Sequence, residues 1–362
     1  MDGGVMRGPS VEALVPLHGG PDAEGIPLHD FSTNSNACGP CPEALVAVQQ
    51  ADATRYPDPA YTALRAQLGA FHGVAPERIV LAGSASEFIH RITALAGQQG
   101  VAEVALPPHS YGDYAQAAQV RGLGVARGGG VRAGLQWACE PSSPLGLADP
   151  AVRAWREGDD ATSALRVLDC AYAPLRLDLE GAWTGAPSPH LSSACWQLWT
   201  PNKALGLTGV RAAYCVAPLH ADEQVRALTA LAPSWPVGAH GVALLQAWIQ
   251  PSVQQWLLHS LGILRDWKNR QQALCTDLGW AVHAGSLANY FCARPVKGVH
   301  PPQALADWLA ELRSAGIKLR DCTSFGLPGQ VRLGVLPPAA QHALWTTWRG
   351  LQAIPTPLKD MA

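Results

Sequence analysis

The chain reads as an α/β fold: three α/β/α layers around a mostly parallel central sheet, followed by a smaller α+β C-terminal domain. Three observations predict it. From Ile79 to Ala217 short apolar runs alternate with helical segments, the pattern of a sheet covered by helices on both faces. Beyond about residue 270 that alternation gives way to strands grouped with helices. The length of 362 residues, with 48% hydrophobic and only 15% charged side chains, exceeds one core's worth and fits folded protein throughout. The predicted division is an arm over residues 1–42, a large domain over 43–268 and a small domain over 269–362.

The arm is rich in small polar residues, His18-Gly-Gly20 and then Leu28-His-Asp-Phe-Ser-Thr-Asn-Ser-Asn36, and is expected to lie over other elements. Pro42–Ala51 reads as a helix, Arg55-Tyr-Pro-Asp-Pro59 as a turn, and Ala60–His72 as an amphipathic helix with Leu64, Leu68 and Phe71 on one face. Ile79-Val-Leu-Ala82 is a strand running into Gly83-Ser-Ala-Ser-Glu87 and a helix. Small residues at a helix start can cradle phosphate on free N–H groups, or Ser84 or Ser86 can be a plain N-cap. Val101–Leu106 is the next strand, and Pro-Pro-His-Ser-Tyr111 places Tyr111 at its carboxyl end, where open α/β sheets bind ligands. Trp137–Pro141 leaves into Ser142-Ser-Pro-Leu-Gly146. Arg166-Val-Leu-Asp169 ends in a carboxylate that is either a helix cap or a ligand group. The Gly128–Gly130 run lacks nucleotide-loop spacing and reads as a turn.

Between strands predicted at Cys195–Trp199 and Ala212–Ala217 lies Thr200-Pro-Asn-Lys-Ala-Leu-Gly-Leu-Thr-Gly-Val-Arg211. A lone amine, Lys203, on a glycine-rich loop held by the sheet is what Schiff-base chemistry with pyridoxal phosphate requires, although the same loop could be ordinary surface. After Pro233–Gly238 a long helical stretch runs to about residue 270. Strands at Trp280–His283 and Tyr290–Arg294, a helix at Pro302–Ser314, a strand at Gln330–Val335 and a helix from Pro338 complete the chain. Arg320 and Arg332 suit bidentate binding of carboxylate or phosphate, or are surface charges on edge strands.

A net charge of −2 offers no electrostatic basis for binding nucleic acid or a membrane surface. No apolar run reaches the ~18 residues of a membrane span, and the N-terminus has no signal-peptide core, so a cytoplasmic location is expected. The nine cysteines, odd in number and scattered, read as reduced thiols. Cys38-Gly-Pro-Cys41 has redox spacing but follows an irregular loop rather than a strand, and no second Cys or His pair completes a metal site.

The ordered set Gly-Ser-Ala-Ser-Glu87, Tyr111, Ser-Ser-Pro-Leu-Gly146, Asp169–Tyr172, Lys203 and Arg211 resembles fold-type I pyridoxal-phosphate enzymes over essentially the whole chain. Arg55-Tyr-Pro-Asp-Pro59, Pro-Pro-His-Ser-Tyr111 and Leu-Arg-Asp-Cys322 are similar to the branch holding histidinol-phosphate aminotransferase and threonine-phosphate decarboxylase. The resemblance implies that Lys203 carries the cofactor and shuttles protons, Asp169 pairs with the pyridinium nitrogen, Tyr172 bonds the phenolic oxygen and Tyr111 stacks on the ring. It implies that Ala85, Ser86, Thr200 and Arg211 hold the phosphate, with Tyr56 reaching the cofactor phosphate of a neighbouring subunit in a homodimer. Ser143 stands where the family has an asparagine that bonds the cofactor's phenolic oxygen, and Pro-Asn before Lys203 replaces a hydroxyl-rich loop. The substrate expected is a small amino acid or amino-alcohol phosphate held by His18, Gly19, Asn34, Arg320 and Arg332. His18-Gly-Gly20, Asp30-Phe-Ser-Thr-Asn34 and Ser234-Trp-Pro-Val237 favour decarboxylation of L-threonine O-3-phosphate, as in cobalamin synthesis. The alternative is an aminotransferase of the histidinol-phosphate or aromatic type.

Overall fold

The computed structural model describes residues 19–128, 133–157, 164–187, 193–295 and 302–353; His18 and most of the Gly128–Gly130 run lie outside them. The first half comprises β1 (His29–Asp30), α1 (Pro42–Gln49), α2 (Thr62–His72), β2 (Ile79–Ala82), α3 (Ala85–Gln98), β3 (Glu103–Leu106), α4 (Gly112–Gln119), β4 (Gly124–Arg127), β5 (Leu135–Cys139), α5 (Pro150–Glu157) and β6 (Leu165–Asp169). Then come β7 (Trp196–Trp199), β8 (Ala213–Val216), α6 (Asp222–Ala230), α7 (Ala239–Trp248) and α8 (Pro251–Asp277). The C-terminal part holds β9 (Trp280–Val282), β10 (Tyr290–Pro295), α9 (Pro302–Ser314), β11 (Ile317–Lys318), β12 (Arg320–Asp321), β13 (Val331–Gly334) and α10 (Pro338–Ala353).

Seven strands form the main sheet in the order β2-β8-β7-β6-β5-β3-β4. Neighbours from β7 through β4 run parallel, and β8 is antiparallel to both β7 and β2. The mostly parallel sheet expected from the sequence is thus present. Every residue of β2, β7 and β8 is buried, which is why these strands are unbroken four-residue runs rather than alternating ones. β4, Gly-Val-Ala-Arg, is an exposed edge with no apolar run to announce it.

Helices cover both faces. One face packs Leu64, Leu68, Tyr214, Trp248, Leu257 and Leu261. The other packs Phe88, Ile92, Tyr114, Trp137 and Leu228. A third cluster, around Phe291, Leu312, Leu333 and Trp348, lies against the four-stranded antiparallel sheet β12-β13-β10-β9. The predicted helical stretch to residue 270 is two helices, because Pro251 opens α8 at a position where its missing N–H costs nothing. α8 has 27 residues, about 40 Å of helix at 1.5 Å per residue. The expected boundary at 268 falls inside it: α8 gives Leu257, Leu261 and Leu264 to the first cluster and Cys275 to the third.

The arm belongs physically to the C-terminal part. β1 pairs in parallel with β11, and Phe31 is wholly buried in the third cluster. Asp22 meets both Arg313 and Lys318 at 2.7 Å. Among the described residues no helix is long and apolar enough to cross a membrane.

Candidate active site

Because β2, β3, β5, β6 and β7 all point the same way, their carboxyl ends share one edge of the sheet, the edge that binds ligands in such folds. Asp169 ends β6, Thr200 follows β7, Ser84–Ser86 follow β2, and Tyr111 stands at the start of α4 after β3. β8 runs the opposite way, so the chain must return to this edge before entering it. That is what brings Arg211 back to the site eight residues after Lys203. These residues surround a cavity of about 590 Å³.

Asp169 is buried at the cavity floor. Tyr114 donates its phenol hydrogen to Oδ2 at 2.6 Å, and the Ala171 N–H donates to Oδ1 at 2.9 Å. Burial raises the Asp169 carboxyl above its usual range, and the Tyr114 bond, the Ala171 N–H and the charge of Lys203 oppose that rise. The Lys203 amine lies 5.5 Å over the Tyr172 ring and has no hydrogen-bond partner among the described residues. Asn34 of the arm donates from Nδ2 to the Tyr172 hydroxyl at 3.3 Å. Burial also raises the Tyr111 phenol, whose oxygen is 3.3 Å from Ser86 Oγ.

One wall is the start of α3. Ser84 caps it by accepting from the Glu87 N–H at 3.1 Å. Ala85 and Ser86, whose N–H groups stand in the first helical turn and have no intrahelical acceptor, line the cavity, so the cap by Ser84 leaves these N–H groups available to an anion. Thr200 and Arg211 line the same region, and the buried Thr200 Oγ1 has no partner among the described residues.

The same cavity is lined by two guanidinium groups. Arg320 on β12 pairs in register with Arg332 on β13, and both are buried, at 5% and 7% exposure, which corrects the reading of them as surface charges. Arg332 donates to Ser143 Oγ at 3.2 Å and to the Ser32 carbonyl at 3.0 Å; Arg320 donates to Ser324 Oγ at 2.8 Å. Gly19 lies against Ser32 so closely that an added Cβ would be 2.2 Å from its carbonyl oxygen.

The lysine loop is held from outside. The Asn36 N–H donates to the Lys203 carbonyl at 2.9 Å, its side chain to the Ala204 carbonyl at 3.0 Å, and the Cys41 N–H to the Leu205 carbonyl at 2.8 Å. Where arm and loop cross, a Cβ on Gly206 would sit 2.9 Å from the Gly39 Cα. Cys38 and Cys41 therefore serve a crossing of backbones. Burial raises both thiols, Cys38 to about 11, the reverse of a reactive redox pair.

The family profile described as aminotransferase class I and II matches residues 26–129 and 136–344. The chain belongs to this family. It is a pyridoxal-phosphate-dependent enzyme. This family member is 26% identical over 332 residues to the histidinol-phosphate aminotransferase of Ruegeria pomeroyi, covering 87% of this chain and 88% of that one. Its fold matches that of the Sinorhizobium meliloti histidinol-phosphate aminotransferase solved in complex with pyridoxal-5'-phosphate, with a TM-score of 0.74 at 20% identity over 96% of this chain and 98% of that one. It also matches L-threonine-O-3-phosphate decarboxylase from Porphyromonas gingivalis, with a TM-score of 0.72 at 20% identity over 89% and 98% of the two chains.

The residues present fit the family's cofactor: a lone amine, a buried carboxylate across the floor, a helix start with free N–H groups, and an orphaned threonine hydroxyl beside them. Of the residues anticipated from sequence, all but two line the cavity; His18 is outside the described residues. Tyr56 is turned away from this cavity, 77% exposed and stacked on Trp235 at 4.3 Å. The sequence reading missed Tyr114, Ser32 and Phe325. Tyr114 carried a usable signal, since it follows Tyr111 by three positions and so shares its helical face.

Proposed function

We propose that the chain is an aminotransferase that takes an amino-alcohol phosphate of the histidinol-phosphate type as amino donor and a dicarboxylic keto acid as acceptor. The buried pair Arg320 and Arg332, lining the same cavity as Lys203, carries this reading. Two adjacent guanidinium groups can hold a phosphate in one half of the reaction and the distal carboxylate in the other. Curated relatives 26–28% identical over 87% of the chain are named histidinol-phosphate aminotransferases, which supports it.

Pyridoxal phosphate would be held by Lys203, Asp169, Tyr172 and Tyr111, with its phosphate on the Ala85 and Ser86 N–H groups, Thr200 and Arg211. Bound there, it supplies an electron sink for the bonds of the substrate Cα. The Lys203 amine would serve as the base for the substrate Cα proton, being the lysine that lines the cavity. Asp169 in its carboxylate form, supported by Tyr114 and the Ala171 N–H, would favour a protonated ring nitrogen. Asn34 fixes the Tyr172 hydroxyl, so the restraint normally supplied by the asparagine at position 143 comes instead from the arm. Ser143 turns its hydroxyl to Arg332. The exposed Tyr56–Trp235 pair suits a place at a second subunit's site in a homodimer, and a cytoplasmic location goes with this chemistry.

Decarboxylation of L-threonine O-3-phosphate is the second reading. Arg320 and Arg332 could divide between its phosphate and its carboxylate, and the likeness to the decarboxylase is one of fold. The two readings separate when the cofactor-loaded protein is given L-histidinol phosphate with 2-oxoglutarate, and separately L-threonine O-3-phosphate without any keto acid. Glutamate formed in the first mixture, with no carbon dioxide from the second, is the expected result. Sustained carbon dioxide from the second, with no glutamate from the first, would replace the aminotransferase reading by the decarboxylase.

A further inference from the structure

His109 stands in the loop between β3 and α4, two residues before Tyr111, and no catalytic role uses it. Its Nδ1 lies 2.8 Å from the carbonyl oxygen of Phe325. A carbonyl only accepts, so the hydrogen of this bond sits on Nδ1. The bond joins the sheet edge that carries Tyr111 to the tight turn Thr323–Phe325 that follows β12. The imidazole also lies along Gly326, whose added Cβ would meet Nδ1 at 3.6 Å; with φ at +77°, that residue favours glycine in any case.

The turn so held is the packing surface of both buried guanidinium groups. The Phe325 ring is 4.9 Å from the Arg320 guanidinium and 5.6 Å from that of Arg332. Ser324, on the same turn, accepts from Arg320 at 2.8 Å. Two like charges side by side repel, and the Arg332 charge adds to burial in lowering the Arg320 pKa. Their spacing therefore depends on the groups wedged against them, chiefly Phe325, and Phe325 is pinned through its carbonyl.

We propose that His109 is a positioning residue for anion recognition: by clasping the Phe325 carbonyl it sets the distance between the arginine pair and the Tyr111 side of the cavity. This rests on the reading of Arg320 and Arg332 as the site of a substrate phosphate. It makes the clasp act on phosphate affinity and leave cofactor binding alone, since the hydrogen bond of His109 goes to Phe325 and, among the described residues, none goes to a residue assigned to the cofactor.

The test compares wild type, His109→Ala and His109→Asn as cofactor-loaded proteins. The asparagine amide can place an N–H close to where Nδ1 donates, whereas alanine cannot. Each protein is titrated with inorganic phosphate, followed by the absorbance of the bound cofactor and by calorimetry, and its content of pyridoxal phosphate is measured. Losing one hydrogen bond to a neutral carbonyl is worth about tenfold at most. The expected result is phosphate binding about five- to tenfold weaker in His109→Ala, within about threefold of wild type in His109→Asn, with cofactor content equal in all three. With L-histidinol phosphate as donor, the alanine change should raise KM by a similar factor and leave kcat within about twofold. Equal phosphate affinity in all three proteins, an asparagine variant as weak as alanine, or cofactor lost along with phosphate affinity would overturn the proposal. If wild type binds phosphate yet turns over neither phosphorylated substrate, the functional reading fails while the three titrations still decide the clasp. If wild type binds no phosphate, the clasp falls with the anion site.

Discussion

Tyr114 donates to Asp169 across 2.6 Å at the base of the cavity, and both side chains are buried. A phenol hydrogen bonded to a buried carboxylate stabilises its ionised form, so Tyr114 supports the charge proposed to pair with the cofactor's ring nitrogen. Tyr114→Phe removes that donor and lets burial push the Asp169 carboxyl further up. A hydrogen bond to a charged group is worth roughly 1.5–3 kcal/mol, so the dissociation constant for pyridoxal phosphate should rise about ten- to a hundredfold. Equilibrium dialysis of the cofactor checks this, and an unchanged constant would show that Asp169 needs no such support.

Lys203 and Arg211 leave the same loop with different duties, and their alanine variants should separate them. Lys203→Ala should lose at least ~10³-fold in kcat even with cofactor in excess, because among the described residues no other amine lines the cavity to move the Cα proton. Arg211→Ala should instead weaken cofactor binding by about tenfold and recover most turnover when cofactor is saturating. Steady-state rates at several cofactor concentrations distinguish the two patterns.

Gly19 matters through Ser32. A methyl group there would press on the Ser32 carbonyl at 2.2 Å, and that carbonyl accepts from Arg332 at 3.0 Å. Gly19→Ala should shift the arm and unseat Arg332, raising KM for a phosphorylated donor by roughly tenfold while the cofactor content stays at the wild-type level. Loss of the cofactor would place the damage in the sheet edge instead.

His72 makes the fold sensitive to acid. Its Nε2 is 2.8 Å from the Tyr214 oxygen, which also accepts from Trp248 at 3.1 Å. An indole N–H can only donate, so the Tyr214 oxygen accepts from Trp248 and shares its second hydrogen bond with the neutral His72 ring. Burial lowers the His72 pKa from 6.5 to about 3. The unfolded chain binds the proton at the higher pH, so the contribution is complete above pH 6.5 and is lost as pH falls through that value towards about 3. The slope is about 1.4 kcal/mol per pH unit, or about 2 kcal/mol between neutrality and pH 5. Urea unfolding of His72→Phe should give a protein less stable at pH 8 but flatter by about that amount between pH 7 and pH 5.

The sequence disclosed what burial and punctuation encode. Ile79–Ala82 and Trp196–Trp199 were legible because both faces are covered and a turn follows each run. β4 was not, since an exposed Gly-Val-Ala-Arg edge is defined only by its pairing with β3. Lys203, Asp169, Tyr111 and Tyr172 were legible because each follows or ends a strand at the ligand edge. Contacts across long separations were not: Tyr114 reaches Asp169 over 55 positions, and Asn34 reaches Tyr172 over 138. The fate of Tyr56 was likewise hidden, because its exposure is decided by stacking on Trp235, far along the chain.

The backbone crossing at Gly39 and Gly206 makes the arm a reporter on the lysine. The Asn36 and Cys41 amides are tied to carbonyls of the loop that carries Lys203, so neither can trade its hydrogen for deuterium unless the two segments separate. Their exchange, slow or fast, therefore follows a single opening of the two strands of chain. A ligand that steadies the lysine loop should slow the Asn36 amide as much as any amide within the loop itself, although Asn36 lies 167 positions before the lysine whose carbonyl it binds.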